Sequence, residues 1–201
     1  MRKIGIMGGT FNPIHLAHVE IGKVCLEQEK LDSVWFMPSK NPPHKKNTDI
    51  LPEEERAAMI KLAISEYDRL KFSDFELLRQ GTTYTADTLR LLQEKNPNDS
   101  YYFIMGADSL LYLDEWYKPE EIFKRAVILA VGRDCSTSSE LIKKRKELMD
   151  SFENADIRFV QMEQINISSS RIREDIAHGR NMEKYLGKDV WKYICKKHLY
   201  M

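Results

Sequence analysis

An α/β fold with a mostly parallel, doubly wound sheet flanked by helices is predicted by three features of the sequence. Short apolar runs alternate with segments of helical periodicity along the whole chain, the pattern of strands joined by helical crossovers. The first run, Ile4-Gly5-Ile6-Met7, opens directly into Gly8-Gly9, and Pro13 stands just ahead of a helical pattern. That order reads as buried strand, tight turn and helix start. A later run, Tyr101 to Met105, also ends in glycine, as Gly106-Ala107-Asp108. Ligands of such sheets sit beyond the carboxyl ends of the strands, where strand order reverses, so the segments after Met7, Met37 and Met105 are the places to look.

Residues 15 to 29 carry Leu16, Val19, Val24 and Leu26 among polar positions and predict a helix. Ser33 to Pro38 is a second strand, stopped by its proline. Residues 39 to 50 form a polar loop that gathers Lys40, His44, Lys45 and Lys46. Pro52 with Glu53, Glu54 and Glu55 marks a helix start, and Met59, Leu62 and Ala63 give its buried face. Phe72 to Leu78 reads as a strand, and Thr85 with Asp87 opens a helix carrying Leu89 and Leu92. Leu110 to Trp116 continues from the Tyr101–Met105 strand as a short helical or looped piece. Ala126 to Val131 is the next strand, followed by a charged helix near 139 to 151 and a strand at Ile157 to Val160. Helices near 169 to 178 and 188 to 198 close the chain as a small C-terminal helical portion.

Without a repeat, a low-complexity tract or a composition break, residues 1–201 are expected to form one domain. Lys plus Arg balances Asp plus Glu at 31 each, so no long-range field favours nucleic acid or an anionic membrane. Cys25, Cys135 and Cys195 are odd in number and lack C-x-x-C spacing, which fits a reducing cytosol better than a zinc site or a disulfide frame. No apolar stretch approaches a membrane span and the N-terminal one is too short for a signal peptide, so a cytoplasmic protein is expected.

Two segments carry chemistry. A helix start leaves backbone N–H groups without partners and bears partial positive charge, so an anion beside Thr10, Phe11 and His15 meets donors already in place. Gly8 and Gly9 let the chain approach that anion with no Cβ in the way. If the helix begins near Ile14, His15 and His18 lie on one face, one above the other, as a clamp. The spacing excludes a Walker A loop, since no lysine follows until Lys23, and it excludes G-x-G-x-x-G. The second segment is Ile167 to Arg173, ISSSRIR. Ser168 or Ser169 is a natural N-cap there, and Arg171 and Arg173 add charge at a second helix start.

GGTFNPIHLAH resembles the phosphate-binding segment of the H-x-G-H nucleotidyltransferases, with Ala17 where glycine is usual and Asn12 where aspartate is common. ISSSRIR is similar to the I-S-S-T-x-I-R segment of the same group, with Ser170 in place of threonine. Pro42-Pro43-His44-Lys45, Thr83 to Thr88, Gly106-Ala107-Asp108 with Trp116, and Val190 to Ile194 narrow the resemblance to the bacterial nicotinate mononucleotide adenylyltransferase family. It implies a Rossmann-like fold and transfer of AMP from ATP to nicotinate mononucleotide, giving deamido-NAD and pyrophosphate.

The resemblance implies roles as well. His15, His18 and Arg173 would be catalytic. Gly8, Gly9, Thr10, Phe11, Gly106, Asp108, Ile167, Ser168 and Ser169 would join them around ATP. His44, Lys45, Thr85, Tyr112 and Trp116 would serve the mononucleotide, with Thr85 and the backbone near Tyr112 on its carboxylate and Trp116 stacked on its ring. Because the nucleophile is already a phosphate anion, no general base is required; the α-phosphorus needs charge stabilisation and two phosphates held in line. A histidine against a triphosphate is expected to move towards its protonated, doubly donating form. Mg2+ would be held by phosphate oxygens and water, with no protein metal site.

Three alternatives stay open from sequence: a pantetheine-phosphate adenylyltransferase, a cytidylyltransferase, and a nucleotide-sensing module without turnover. The helix from Gly187 to His198 could face the core or a second copy, leaving a homo-oligomer open.

Overall fold

The computed structural model describes residues 1–40, 50–163 and 165–201. His44, Lys45 and Lys46 therefore lie outside the described residues. Six strands, β1 (Lys3–Gly9), β2 (Ser33–Pro38), β3 (Leu70–Phe72), β4 (Ser100–Gly106), β5 (Ala126–Gly132) and β6 (Ile157–Gln161), form one sheet in the order β3-β2-β1-β4-β5-β6. Every pairing is parallel, so the expected mostly parallel sheet is wholly parallel among the described strands.

A parallel sheet covered on both faces needs strands that are apolar on both sides, and the central ones are. From β1, Met7 enters one buried cluster, while Ile4 and Ile6 enter the other. On the first face lie α1 (Leu16–Gln28) and α2 (Glu53–Ala63), through Val19, Cys25, Leu26, Met59 and Ile60. On the second lie α3 (Thr85–Lys95), the 3-10 helix Ala107–Glu115, α4 (Pro119–Arg125) and α5 (Ser139–Ser151), through Leu89, Leu110, Ile122 and Leu148. After β6 the chain crosses back. Ile172 and Ile176 of α6 (Ser169–Ala177), Leu186 of α7 (Glu183–Leu186) and Val190 and Ile194 of α8 (Lys188–Lys197) all enter the first cluster. The closing helix thus faces the core, with Trp191 packed beside it.

The predicted strand from Phe72 to Leu78 is corrected. β3 ends at Phe72, and the following residues turn, with Leu78 N–H donating to Asp74 O (3.1 Å) and Arg79 N–H to Glu76 O (3.2 Å). Ser73-Asp74 supplies that turn chemistry, and Glu76 is drawn inward by the Thr88 hydroxyl (2.7 Å). Helix α4 also went unpredicted, although Pro119 at its first position, Glu120 and Glu121 after it and Lys124-Arg125 at its end suit the helix dipole.

Candidate active site

Strands β1 and β4 are neighbours at the point where strand order reverses, and their carboxyl ends, Gly9 and Gly106, lead into the segments after Met7 and Met105 named above. Neither Gly8 nor Gly9 has a positive φ. A Cβ at Gly9 would press on the Phe11 ring at 3.1 Å, whereas one at Gly8 would meet only Phe103, at 3.8 Å. Packing accounts for the first glycine; the second borders open space.

The turn from Thr10 to His15 is held by its carbonyl groups. Thr10 O accepts from Arg56 Nη1 (2.8 Å), Asn12 O from Arg173 Nη1 (2.9 Å) and Pro13 O from Ser169 Oγ (2.9 Å). Residues about 160 positions apart in sequence, Asn12 and Arg173, are therefore in contact. In a trans peptide the C=O and the next N–H point opposite ways. Each held carbonyl therefore turns the N–H of its own peptide, Phe11 for Thr10 O and Ile14 for Pro13 O, away from the group that holds it. Phe11 adopts left-handed backbone (φ 48°), and the Asn12-Pro13 peptide is cis. Asn12 itself is buried, and its Oδ1 accepts from Leu51 N–H (3.2 Å) and the Tyr200 hydroxyl (2.7 Å), so this oxygen braces the turn.

His15 is the N-cap of α1 and His18 its third residue. Their rings lie 3.8 Å apart, centroid to centroid, tilted by 32°, so the expected stacking of the pair is present. The His15 N–H donates to His18 Nδ1 (3.2 Å), which puts the proton of His18 on Nε2. His15 is buried, and burial pushes its pKa down to about 4, so its ring is neutral at pH 7 in the protein's own surroundings.

Beside this turn lies a cavity of about 730 Å³, with Gly8 and Gly9 among its lining residues. Thr85, Tyr112 and Trp116 line it together, as the resemblance implies. Thr85 is the first residue of α3 rather than its cap, which is Tyr84. Trp116 meets Phe103 edge-on at 6.0 Å, and Tyr84 stacks with Tyr117 at 4.4 Å. Gly106 and Asp108 are exposed at the end of β4 and the start of the 3-10 helix.

In the second segment Ser168 is the N-cap of α6, its oxygen accepting from Arg171 N–H (3.2 Å), while the Ser169 hydroxyl is given to Pro13 O. Ile167 is half-buried just before them. Arg171 is exposed and pairs with Asp175, away from the turn's carbonyls. Lys40 donates to Leu77 O (2.9 Å). Ala17, the departure from glycine, is buried.

Two residues escaped the sequence reading. Arg56 is 1% exposed and donates from Nε to Leu51 O (3.1 Å) and from Nη1 to Thr10 O and Ser39 O (3.0 Å). Its signal was helical spacing: 56, 59 and 60 share a face, so a charge stood among apolar positions. Glu76 lines the cavity, and burial raises its pKa. No three of His, Cys, Asp or Glu converge to cage a metal ion among the described residues.

The cytidylyltransferase-like family model matches residues 6–175. Across all 201 residues the chain is 40% identical to a probable nicotinate-nucleotide adenylyltransferase of Lachnoclostridium phytofermentans, covering 100% of both chains. Over 198 residues it is 39% identical to the protein of that name from Carboxydothermus hydrogenoformans, covering 98% of each. Among solved structures, the Plasmodium falciparum nicotinic acid mononucleotide adenylyltransferase complexed with NaAD superposes with a TM-score of 0.81 at 22% identity, covering 100% of this chain and 98% of that one. A putative nicotinate-nucleotide adenylyltransferase from Vibrio parahaemolyticus superposes at 0.68 with 22% identity, over 97% and 99%.

Proposed function

The chain belongs to the nicotinate-nucleotide adenylyltransferases of the cytidylyltransferase-like family, and from that membership we infer that it transfers AMP from ATP to nicotinate mononucleotide, giving deamido-NAD and pyrophosphate. The observation that carries this reading is the meeting of the Thr10–His15 turn with α6, through Arg173 on Asn12 O and Ser169 on Pro13 O, beside a cavity that reaches Gly8 and Gly9. One compartment suits a triphosphate and the other an aromatic mononucleotide. Their common border at the two glycines suits the α-phosphorus.

The mononucleotide phosphate is the nucleophile, and the chain supplies alignment and donors. His18 gives its Nε2–H to an ATP phosphate, and the Phe11 and Ile14 N–H groups face the same charge. Arg173, with one nitrogen on Asn12 O, offers the rest of its fork to the β and γ groups together with the Ser168 hydroxyl. Thr10 and Ile167 border the triphosphate, and Gly106 and Asp108 take ribose hydroxyls. Trp116 stacks on the pyridine ring, and Thr85 and the backbone near Tyr112 donate to its carboxylate. His44 and Lys45 keep the substrate contact the resemblance implies.

Mg2+ would offset charge on the departing pyrophosphate, and with no acidic cluster among the described residues its ligands would be phosphate oxygens and water. Chelating it with EDTA should abolish turnover and leave the melting temperature of the ligand-free protein unchanged. Pyrophosphate release with ATP, Mg2+ and either nicotinate or nicotinamide mononucleotide tests the function directly. Release with nicotinate mononucleotide is expected; release with neither would overturn the reading.

A further inference from the structure

Among the described residues, Arg56 is the one guanidinium almost wholly enclosed by the protein, and no ion pair with a carboxylate accompanies it there. A buried charge is normally matched by an opposite one, because desolvation is costly and neutral dipoles recover only part of it. Here the three acceptors are backbone carbonyls from three places: Thr10 in the turn after β1, Ser39 after β2 and Leu51 ahead of α2. Glu53 and Glu54, in the same helix turn, act on it only through space. The peptide unit that receives Nη1 at Thr10 O is the one whose N–H, on Phe11, points the other way. The cation thus lies on the opposite side of that peptide from its N–H donor.

We propose that Arg56 is a positioning residue for ATP: it holds the Thr10–Phe11 peptide, Ser39 and Leu51 in one arrangement, and the bound triphosphate is its counter-ion. The proposal rests on the adenylyltransferase reading for its ligand. Two consequences separate it from a purely architectural arginine. Loss of the charge should weaken ATP more than the mononucleotide, since Arg56 does not itself line the mononucleotide cavity and reaches it only through the carbonyl of Ser39. A lysine, which keeps the charge but has no planar fork, should restore ATP affinity better than it restores turnover.

The test compares wild type, Arg56→Gln and Arg56→Lys in the full chain, with KM measured for ATP and for nicotinate mononucleotide and folding followed by circular dichroism. In Arg56→Gln the ATP KM should rise roughly tenfold or more and the mononucleotide KM less than about threefold, with most of the ATP loss recovered in Arg56→Lys. Equal changes in both KM values, no change in either, or a lysine variant no better than glutamine would overturn the proposal. Should the glutamine variant not fold, the wild-type protein labelled with 15N-arginine decides. The Arg56 Nε–H resonance should shift on adding ATP and not on adding the mononucleotide alone, and an unmoved resonance under saturating ATP would be as damaging. Wild-type protein that binds ATP but releases no pyrophosphate would sink the adenylyltransferase reading and leave the Arg56 resonance measurement, which needs no turnover, intact.

Discussion

Because His18 Nδ1 accepts the His15 N–H, a phosphate can receive only the Nε2–H of His18. Replacing His18 by alanine should lower turnover roughly a hundredfold to a thousandfold, the usual effect of removing one donor to developing charge. Near-normal turnover in that variant would take the ring out of the mechanism. His15 makes a prediction about acid. Its pKa in the folded protein is about 4, below the ordinary value of 6.5, so the unfolded chain binds a proton first as pH falls. Stability is therefore unaffected by this group above about pH 6.5 and declines as pH falls from there towards 4, by up to about 3 kcal/mol. Urea unfolding at pH 7 and pH 5 should show a smaller decline in His15→Gln than in wild type. The pairing of these rings was legible in the sequence, because a three-residue spacing at a helix start leaves little freedom. The protonation of His15 was not, since it depends on burial.

At the scale of elements, the junction of β1 and α1 is a short segment braced from outside. Tyr200, near the end of the chain, donates to Asn12 Oδ1 at 2.7 Å, and burial pushes its hydroxyl pKa upward. Tyr200→Phe should lower stability by about 0.5 to 1.5 kcal/mol by removing one hydrogen bond to an oxygen that keeps the Leu51 N–H, and chemical denaturation would measure it. An unchanged midpoint would mean that the C-terminus does not hold the turn. Gly8→Ala discriminates differently. The new methyl meets protein only at ordinary contact distance, so the melting temperature should hold while the mononucleotide KM rises. Most element types were legible from periodicity: α5 is predicted and observed over residues 139 to 151, and the observed β5 and β6 each extend the predicted strand by one residue. Phe72–Leu78 misled because Phe75, Leu77 and Leu78 supply apolar residues at strand-like spacing while Ser73-Asp74 turns the chain.

Across the whole molecule, two compartments meet at Gly8 and Gly9, and their residues should be separable in kinetics. Trp116→Ala should raise the mononucleotide KM about tenfold and leave the ATP KM within about threefold, with Arg173→Lys shifting the balance the other way. Parallel changes in both would show that the compartments are not independent. Taken alone, the sequence determined the alternation of strand and helix, the two glycine-ended strands, and the chemistry of the segments around His15 and Ser168. These depend on residue type and on spacings of two to four positions, which act locally. Only the tertiary structure decided that the chain recrosses the sheet after β6, so that α6 packs on the face of α1 and Arg173 reaches Asn12 O. It also decided that Arg56, written among glutamates, turns inward to hold Thr10. Both outcomes follow from burial of apolar faces contributed by distant segments, and no local spacing specifies which distant face an amphipathic helix will cover.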